Sequence, residues 1–265
     1  MKDESIFRYY QPKNGYIGIL SIPHSGEIIP TEFQKFLTDN KHSLSMDVDY
    51  KVDHLIDIER LSNAGIAVIV SNIHRTCVDL NRPEEVSILN WEKNSQGDLL
   101  VLNRPSGKEK ILLESKYYIP YFEMLKSMIN ELHKERSKKI SFIDLHSMPS
   151  IATDYHLKIT PDQNTIRPDF CVSDIKGLSS DKDYIDGACL ELKRFADNVT
   201  QNDPYFGGHI TRYIHAQYQR INNIQIEISR ALYMDETKRN LIDNKSSILK
   251  KNLTAALLNF YKANQ

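Results

Sequence analysis

Gly15-Tyr-Ile-Gly-Ile-Leu-Ser-Ile22, running into Pro23-His-Ser-Gly-Glu27, decides the fold once the next segments are read beside it. The first eight residues are mostly apolar and β-branched and halt at Pro23, the pattern of a buried strand that ends in a polar loop. From Val48 to Leu61, apolar Val48, Val52, Leu55, Ile56 and Ile58 follow helical spacing, and Asn63 to Gly65 supply a stop. Ile66-Ala-Val-Ile-Val70 is a second buried strand. Strand, helix, strand predicts a parallel α/β core.

The rest of the chain extends that core. Arg82 to Lys110 is a polar excursion with room for a hairpin, of the kind that shapes the mouth of an active site. A helix is predicted over Tyr117 to Lys138, closing on a basic turn that suits its dipole. Ile140-Ser-Phe-Ile-Asp144 is a third buried strand, and it delivers Asp144, His146 and Ser147 at the end where open α/β sheets bind ligands. Phe170 to Val172 reads as a short strand and Tyr184 to Asn198 as a helix. Asn202 to Gly208 is a turn-rich loop, and Ile224-Gln-Ile-Glu-Ile228 is a strand with a glutamate in its middle. Thr237 to Tyr261 has helical spacing. Without a repeat, a low-complexity tract or a clear linker, residues 1–265 are expected to form one domain.

Composition excludes several functions. The chain has 265 residues, 40% of them hydrophobic, enough for a sizeable core. Against 35 Asp+Glu stand 34 Lys+Arg, so there is no basic excess to neutralise a nucleic-acid backbone. Mean hydropathy is -0.46, and no apolar run approaches the ~20 residues of a membrane span. Met1 to Tyr10 is polar and acidic, so a cytoplasmic protein is expected. Cys77, Cys171 and Cys189 are odd in number and lack CxxC spacing, which reads as three reduced thiols.

His24-Ser-Gly-Glu27 places an imidazole and a carboxylate three residues apart in a loop that Gly26 lets fold tightly, a pair that could share one ion. His146, from another strand end, would complete a His2Glu set with a position open for water. Asp144 shares a strand face with His146 and reads either as a carboxylate orienting that ligand or as a loop-facing cap. Arg75, Asn81 and Arg82 suit a carboxylate-bearing substrate, although solvated surface arginines have the same look. Glu227 is either a desolvated general base or an edge-strand residue facing water.

Together these residues resemble a known family. Pro23-His-Ser-Gly26 with Ile29-Pro30, Asp49-x3-Asp53-His-Leu55, Arg75-x3-Asp79-Leu-Asn-Arg-Pro83, Ile143-Asp-Leu-His-Ser-Met148, Arg167-Pro-Asp169, Asn202-Asp-Pro-Tyr-x-Gly-Gly208 and Gln225-Ile-Glu-Ile-x-Arg-x-Leu-Tyr-Met234 look like the N-formylglutamate amidohydrolase family, in order, over roughly residues 15 to 236. More distantly the chain is similar to zinc carboxypeptidases and aspartoacylases. The resemblance implies a zinc-carboxypeptidase-like α/β domain, with a largely parallel mixed sheet flanked by helices. It implies one zinc held by His24, Glu27 and His146, with Asp49 or Asp53 as an alternative carboxylate ligand. Arg75 would stabilise the oxyanion, Asn81 and Arg82 would bind the substrate carboxylate, Arg167 would border the pocket, and Glu227 would activate water. The expected function is zinc-dependent cleavage of a small anionic N-acyl amino acid such as N-formyl-L-glutamate. A metallocarboxypeptidase or amidase acting on peptides or cell-wall fragments, and a non-catalytic binding protein on the same fold, remain open beside it.

Overall fold

Seven strands form one mixed sheet in the computed structural model, which describes residues 5–135 and 139–265. They are β1 (Phe7–Tyr10), β2 (Gly18–Ile22), β3 (Ile66–Ser71), β4 (Ile140–Met148), β5 (Phe170–Ser173), β6 (Val199–Gln201) and β7 (Ile221–Ser229), in the order β1-β3-β2-β4-β7-β5-β6. The four central strands, β3, β2, β4 and β7, run parallel, as the buried apolar runs predict. β1 and β5 are antiparallel to their inner neighbours, and β6 is parallel to β5. From β2 the chain crosses to β3 on one side, whereas β4 is joined to β7 on the other. A crevice therefore opens beyond the carboxyl ends of β2 and β4, where doubly wound sheets bind ligands.

The pleat decides what faces that crevice. On one side Leu20, Ile22, Val68, Val70, Ile143, Leu145, Ile224, Ile226 and Ile228 pack against helices Lys182–Leu192 and Asp243–Ala263. No side-chain cap closes the start of the latter helix. Burial of Leu249, Leu253, Leu257, Leu258, Phe260 and Tyr261 holds it, at about 1.5–3 kcal/mol for each fully buried large side chain. On the other side Ile19, Ala67, Ile69, Ile140 and Phe142 meet helices Ile119–Glu135 and His209–Gln217. Toward the carboxyl ends the same period of two continues with Ser21, Asp144, His146, Gln225 and Glu227, all buried. One face thus changes from apolar core to polar site along its own strands.

Several expectations need correction. The helix predicted over Val48 to Leu61 is broken into a 3₁₀ turn, Val52–Leu55, and a short helix, Ile58–Asn63. Lys51 adopts a left-handed φ of 57°, and Asp57 caps the second piece by accepting from the Arg60 N–H at 3.0 Å. The predicted Tyr117 helix is instead the end of a longer one, Gly107–Leu113 continuing through a π turn at Glu114–Tyr118 into Ile119–Glu135. The widened turn stands just before Pro120, which cannot donate to the helix. Its predicted end, residues 136–138, lies outside the described residues. The Tyr184 helix stops at Leu192, and the last helix begins at Asp243. The excursion does contain a hairpin-like turn, with Lys93 bridged to Leu99 and Gly97 at φ 94°. Among the described residues no helix is long and apolar enough to cross a membrane.

Candidate metal centre and cleft

His24 lies two residues beyond β2 and His146 near the end of β4, and both are almost wholly buried. Their rings stand edge to face with centroids 4.9 Å apart. Asp49, from the broken segment, fills the space between them: its Oδ2 is 3.1 Å from His146 Nδ1 and 3.7 Å from His24 Nδ1. Among the described residues, His24, Asp49 and His146 form the group whose donor atoms converge, all within 4.8 Å of one another.

This set fits a metal ion. Two zinc bonds of ~2.0–2.1 Å at a tetrahedral angle separate their donor atoms by roughly 3.3 Å, close to the spacings around Asp49 Oδ2. His24 Nδ1 is buried and has no hydrogen-bond partner, although its other nitrogen does. That nitrogen, Nε2, is 2.8 Å from Asp79 Oδ1, and His146 Nε2 is 2.8 Å from Asp144 Oδ2. A carboxylate on the outer nitrogen orients the ring and directs the inner lone pair to a metal. Of the two readings its spacing left open for Asp144, the structure has the one in which its carboxylate faces His146. Asp49 Oδ1 faces away toward Ser147 Oγ (3.2 Å) and the Arg230 guanidinium (3.4 Å). Burial opposes every charge here, yet Asp144 and Asp49 hold the His146 imidazole well above its usual range. His146 and His24 likewise hold Asp49 well below the usual carboxylate range, against the same opposition from burial.

Glu27 is not part of the group. Gly26 passes so close to Asn72 that a Cβ would lie 2.4 Å from its backbone carbon, and Ile28 then pairs with Ile73. This path turns Glu27 outward, where it is exposed and pairs with Lys51 at 2.7 Å. Asp53 is engaged by Arg8 at 2.6 Å. Of the carboxylates considered, Asp49 is the one that converges with the two histidines.

Glu227 sits opposite His146 in the β4–β7 register and is buried. Desolvation pushes its carboxyl up to about 7, even though His146, Arg167 and Arg75 favour the charged form. Gln225 holds it, donating from Nε2 to Glu227 Oε1 at 2.8 Å and accepting the Gly208 N–H at 2.7 Å.

Arg75 donates to Asp79 Oδ2 at 3.1 Å and to the Asp47 carbonyl at 3.1 Å, and its Nε has no partner. Asp79 also accepts the Trp91 indole N–H at 2.6 Å and the Asn81 N–H at 3.0 Å. Two guanidiniums lie over the Trp91 ring, Arg75 at 5.4 Å and Arg82 at 5.2 Å from its centroid. Asn81 accepts the Ile210 N–H at 3.0 Å, and a Cβ on Gly208 would come within 2.2 Å of its side chain. Arg167 is buried against Tyr205 and Gln163.

A cleft of about 420 Å³ brings these groups together, within the range usual for small-molecule sites. Arg75, Asn81, Arg82, Arg167, His24, His146 and Glu227 all line it; Glu27 does not. Sequence reasoning assigned nothing to Trp91, Tyr205, Gln225, Arg230 or Asp79. The clue for Asp79 was its spacing of four from Arg75, and for Arg230 a charge at the end of an apolar strand.

A sequence profile of the N-formylglutamate amidohydrolase family matches residues 18–234. An N-formylglutamate deformylase of Pseudomonas putida is 26% identical over 257 residues, covering 91% of each chain. One from Pseudomonas aeruginosa is 25% identical over 239 residues, covering 84% of this chain and 85% of that one. The crystal structure of N-formylglutamate amidohydrolase from Ralstonia eutropha JMP134 superposes with a TM-score of 0.84 at 23% identity, covering 98% of both chains. A gene product of Agrobacterium tumefaciens gives 0.65 at 18% identity, covering 92% of this chain and 91% of that one.

Proposed function

Because the chain belongs to the N-formylglutamate amidohydrolase family, we propose that it is a zinc-dependent hydrolase cleaving N-formyl-L-glutamate, or a close N-acyl relative, to a carboxylate and a free amino acid. The observation that carries the metal half of this reading is the buried, unpartnered His24 Nδ1 facing Asp49 and His146. A divalent cation bound there supplies Lewis acidity, acidifying water and polarising a carbonyl.

The chain's own residues do the rest. Glu227, with a carboxyl near 7, is matched to take a proton from the attacking water and return it to the departing amine nitrogen. Arg75 faces the oxygen that gains charge as the carbonyl becomes tetrahedral, and loss of one such donor typically costs about 10²–10³ in rate. Asn81 and Arg82 hold the α-carboxylate and so fix the amide relative to Glu227. Asp79 and Asp144 keep His24 and His146 in the tautomer that offers Nδ1. Water adds across the C–N bond, and for the formyl substrate the products are formate and glutamate.

Formate release from N-formyl-L-glutamate, measured beside N-acetyl amino acids and short peptides, tests the assignment. Turnover of the formyl compound supports it. Turnover of peptides alone would transfer the chain to the carboxypeptidase reading.

A further inference from the structure

We infer that Trp91 is a positioning residue whose ring and indole N–H together set where the Arg75 and Arg82 guanidiniums stand; this rests on the roles proposed for those arginines in the amidohydrolase reading. Trp91 is the chain's one tryptophan, half-buried at the cleft and outside the strands and helices. The Arg75 and Arg82 guanidinium carbons lie 5.4 and 5.2 Å from its ring centroid. Two like charges over one ring repel each other. The attraction of each to the π face opposes that, and at a partly desolvated site it is worth about ten-fold in an equilibrium.

Arg75 has further anchors in Asp79 Oδ2 and the Asp47 carbonyl, both at 3.1 Å. Arg82 is held by the ring and by the side-chain amide of Asn90, 3.2 Å from its Nε. The indole N–H donates at 2.6 Å to Asp79 Oδ2, the oxygen that Arg75 also uses, while Asp79 Oδ1 faces His24 Nε2 at 2.8 Å. Asp79 is wholly buried and therefore a fixed point. Trp91 thus joins Arg82 to a carboxylate already shared by Arg75 and His24.

The excursion that carries Trp91 is itself braced. The neighbouring Glu92 carbonyl accepts the Leu100 N–H at 2.8 Å, and the Ser95 hydroxyl and N–H donate to the Asp47 carboxylate at 2.6 and 2.8 Å. The Tyr155 ring meets Trp91 edge-on, with centroids 6.0 Å apart. A ring held in this way restricts the long Arg82 side chain before substrate arrives, which lowers the ordering entropy that binding has to overcome.

The test separates the ring from the N–H, and both from simple packing. Trp91→Phe keeps an aromatic face and loses the donor, whereas Trp91→Leu loses both; Trp91→Met repeats the measurements should Trp91→Leu not fold, as thermal unfolding will show. Calorimetry of L-glutamate on the zinc-loaded protein gives a double-mutant cycle with Arg82→Ala. Trp91→Leu should weaken binding about ten-fold when Arg82 is present and less than about two-fold when it is absent. Trp91→Phe should stay within about three-fold of wild type. In steady-state kinetics on N-formyl-L-glutamate, Trp91→Leu should raise KM and lower kcat, each by about ten-fold. On the α-carboxamide analogue the KM effect should vanish and the kcat effect, which acts through Arg75, should persist. Equal cost of Trp91→Leu with and without Arg82, a Trp91→Phe protein as weak as Trp91→Leu, or an unchanged kcat overturns the inference, as does a wild type that binds no L-glutamate. No formate from N-formyl-L-glutamate in wild type, with the binding cycle as expected, would instead sink the deformylase reading and leave the role of Trp91 standing.

Discussion

Replacing Asp49 with Asn and, separately, Glu27 with Ala should have opposite consequences. Asp49 Oδ2 faces both histidine Nδ1 atoms, and Oδ1 faces Arg230 and Ser147. Asp49→Asn therefore removes the anionic member of the three proposed metal donors and leaves the buried Arg230 without its counter-charge. Breaking one side of a buried ion pair costs about 3–5 kcal/mol, a large part of a typical total of 5–15 kcal/mol. Glu27 pairs with Lys51 in solvent, with side chains 45% and 28% exposed, and such pairs contribute about 0–1 kcal/mol. The assays are metal content after purification without chelator and guanidinium denaturation of the stripped proteins. Expected for Asp49→Asn are loss of the metal and a fall of several kcal/mol in unfolding free energy; Glu27→Ala should match wild type in both. A Glu27→Ala protein that loses its metal while Asp49→Asn keeps it would refute the ligand assignment.

Three further outcomes are expected. Glu227→Gln keeps the hydrogen bond from Gln225 but cannot accept a proton, so kcat should fall by about 10²–10⁴ with metal content unchanged, checked by steady-state kinetics beside metal analysis. Asp79→Asn disturbs the His24 orientation and should weaken zinc affinity by about 10–100-fold in a chelator competition, while Glu27→Ala leaves it alone. Arg82→Ala should chiefly raise KM for substrates with a free α-carboxylate; an equal loss on the α-carboxamide analogue would contradict its assignment.

The parallel core was legible because buried strands are nearly continuous apolar runs, as at Ile66-Ala-Val-Ile-Val70 and Ile140-Ser-Phe-Ile. His24, His146 and Glu227 were legible for a related reason: each is a polar residue that the pleat or a strand end carries into the crevice. The carboxylate that converges with the two histidines was not legible from local pattern, and Asp49 entered only as an alternative to Glu27 that the resemblance implied. Whether Glu27 turns in or out depends on Gly26 packing against the backbone of Asn72, a contact that no local spacing encodes. Asp49 was masked by Val48 and Val52, whose spacing reads as a continuous helix. The left-handed turn at Lys51 ends that periodicity, and the Asp49 N–H bonds to the His24 carbonyl at 3.2 Å instead. Trp91 and Tyr205 come from irregular segments, where periodicity carries no signal. The role of Arg230 becomes visible only when Asp49, far away in sequence, is beside it.

The most direct measurement strips the protein with a chelator, restores zinc stepwise and follows formate release from N-formyl-L-glutamate. Activity should vanish on stripping and return linearly to a plateau at one equivalent of zinc per chain, and His146→Ala should not respond. Full activity in the stripped wild-type protein, or recovery of His146→Ala at the same stoichiometry, would contradict a catalytic metal held by His24, Asp49 and His146.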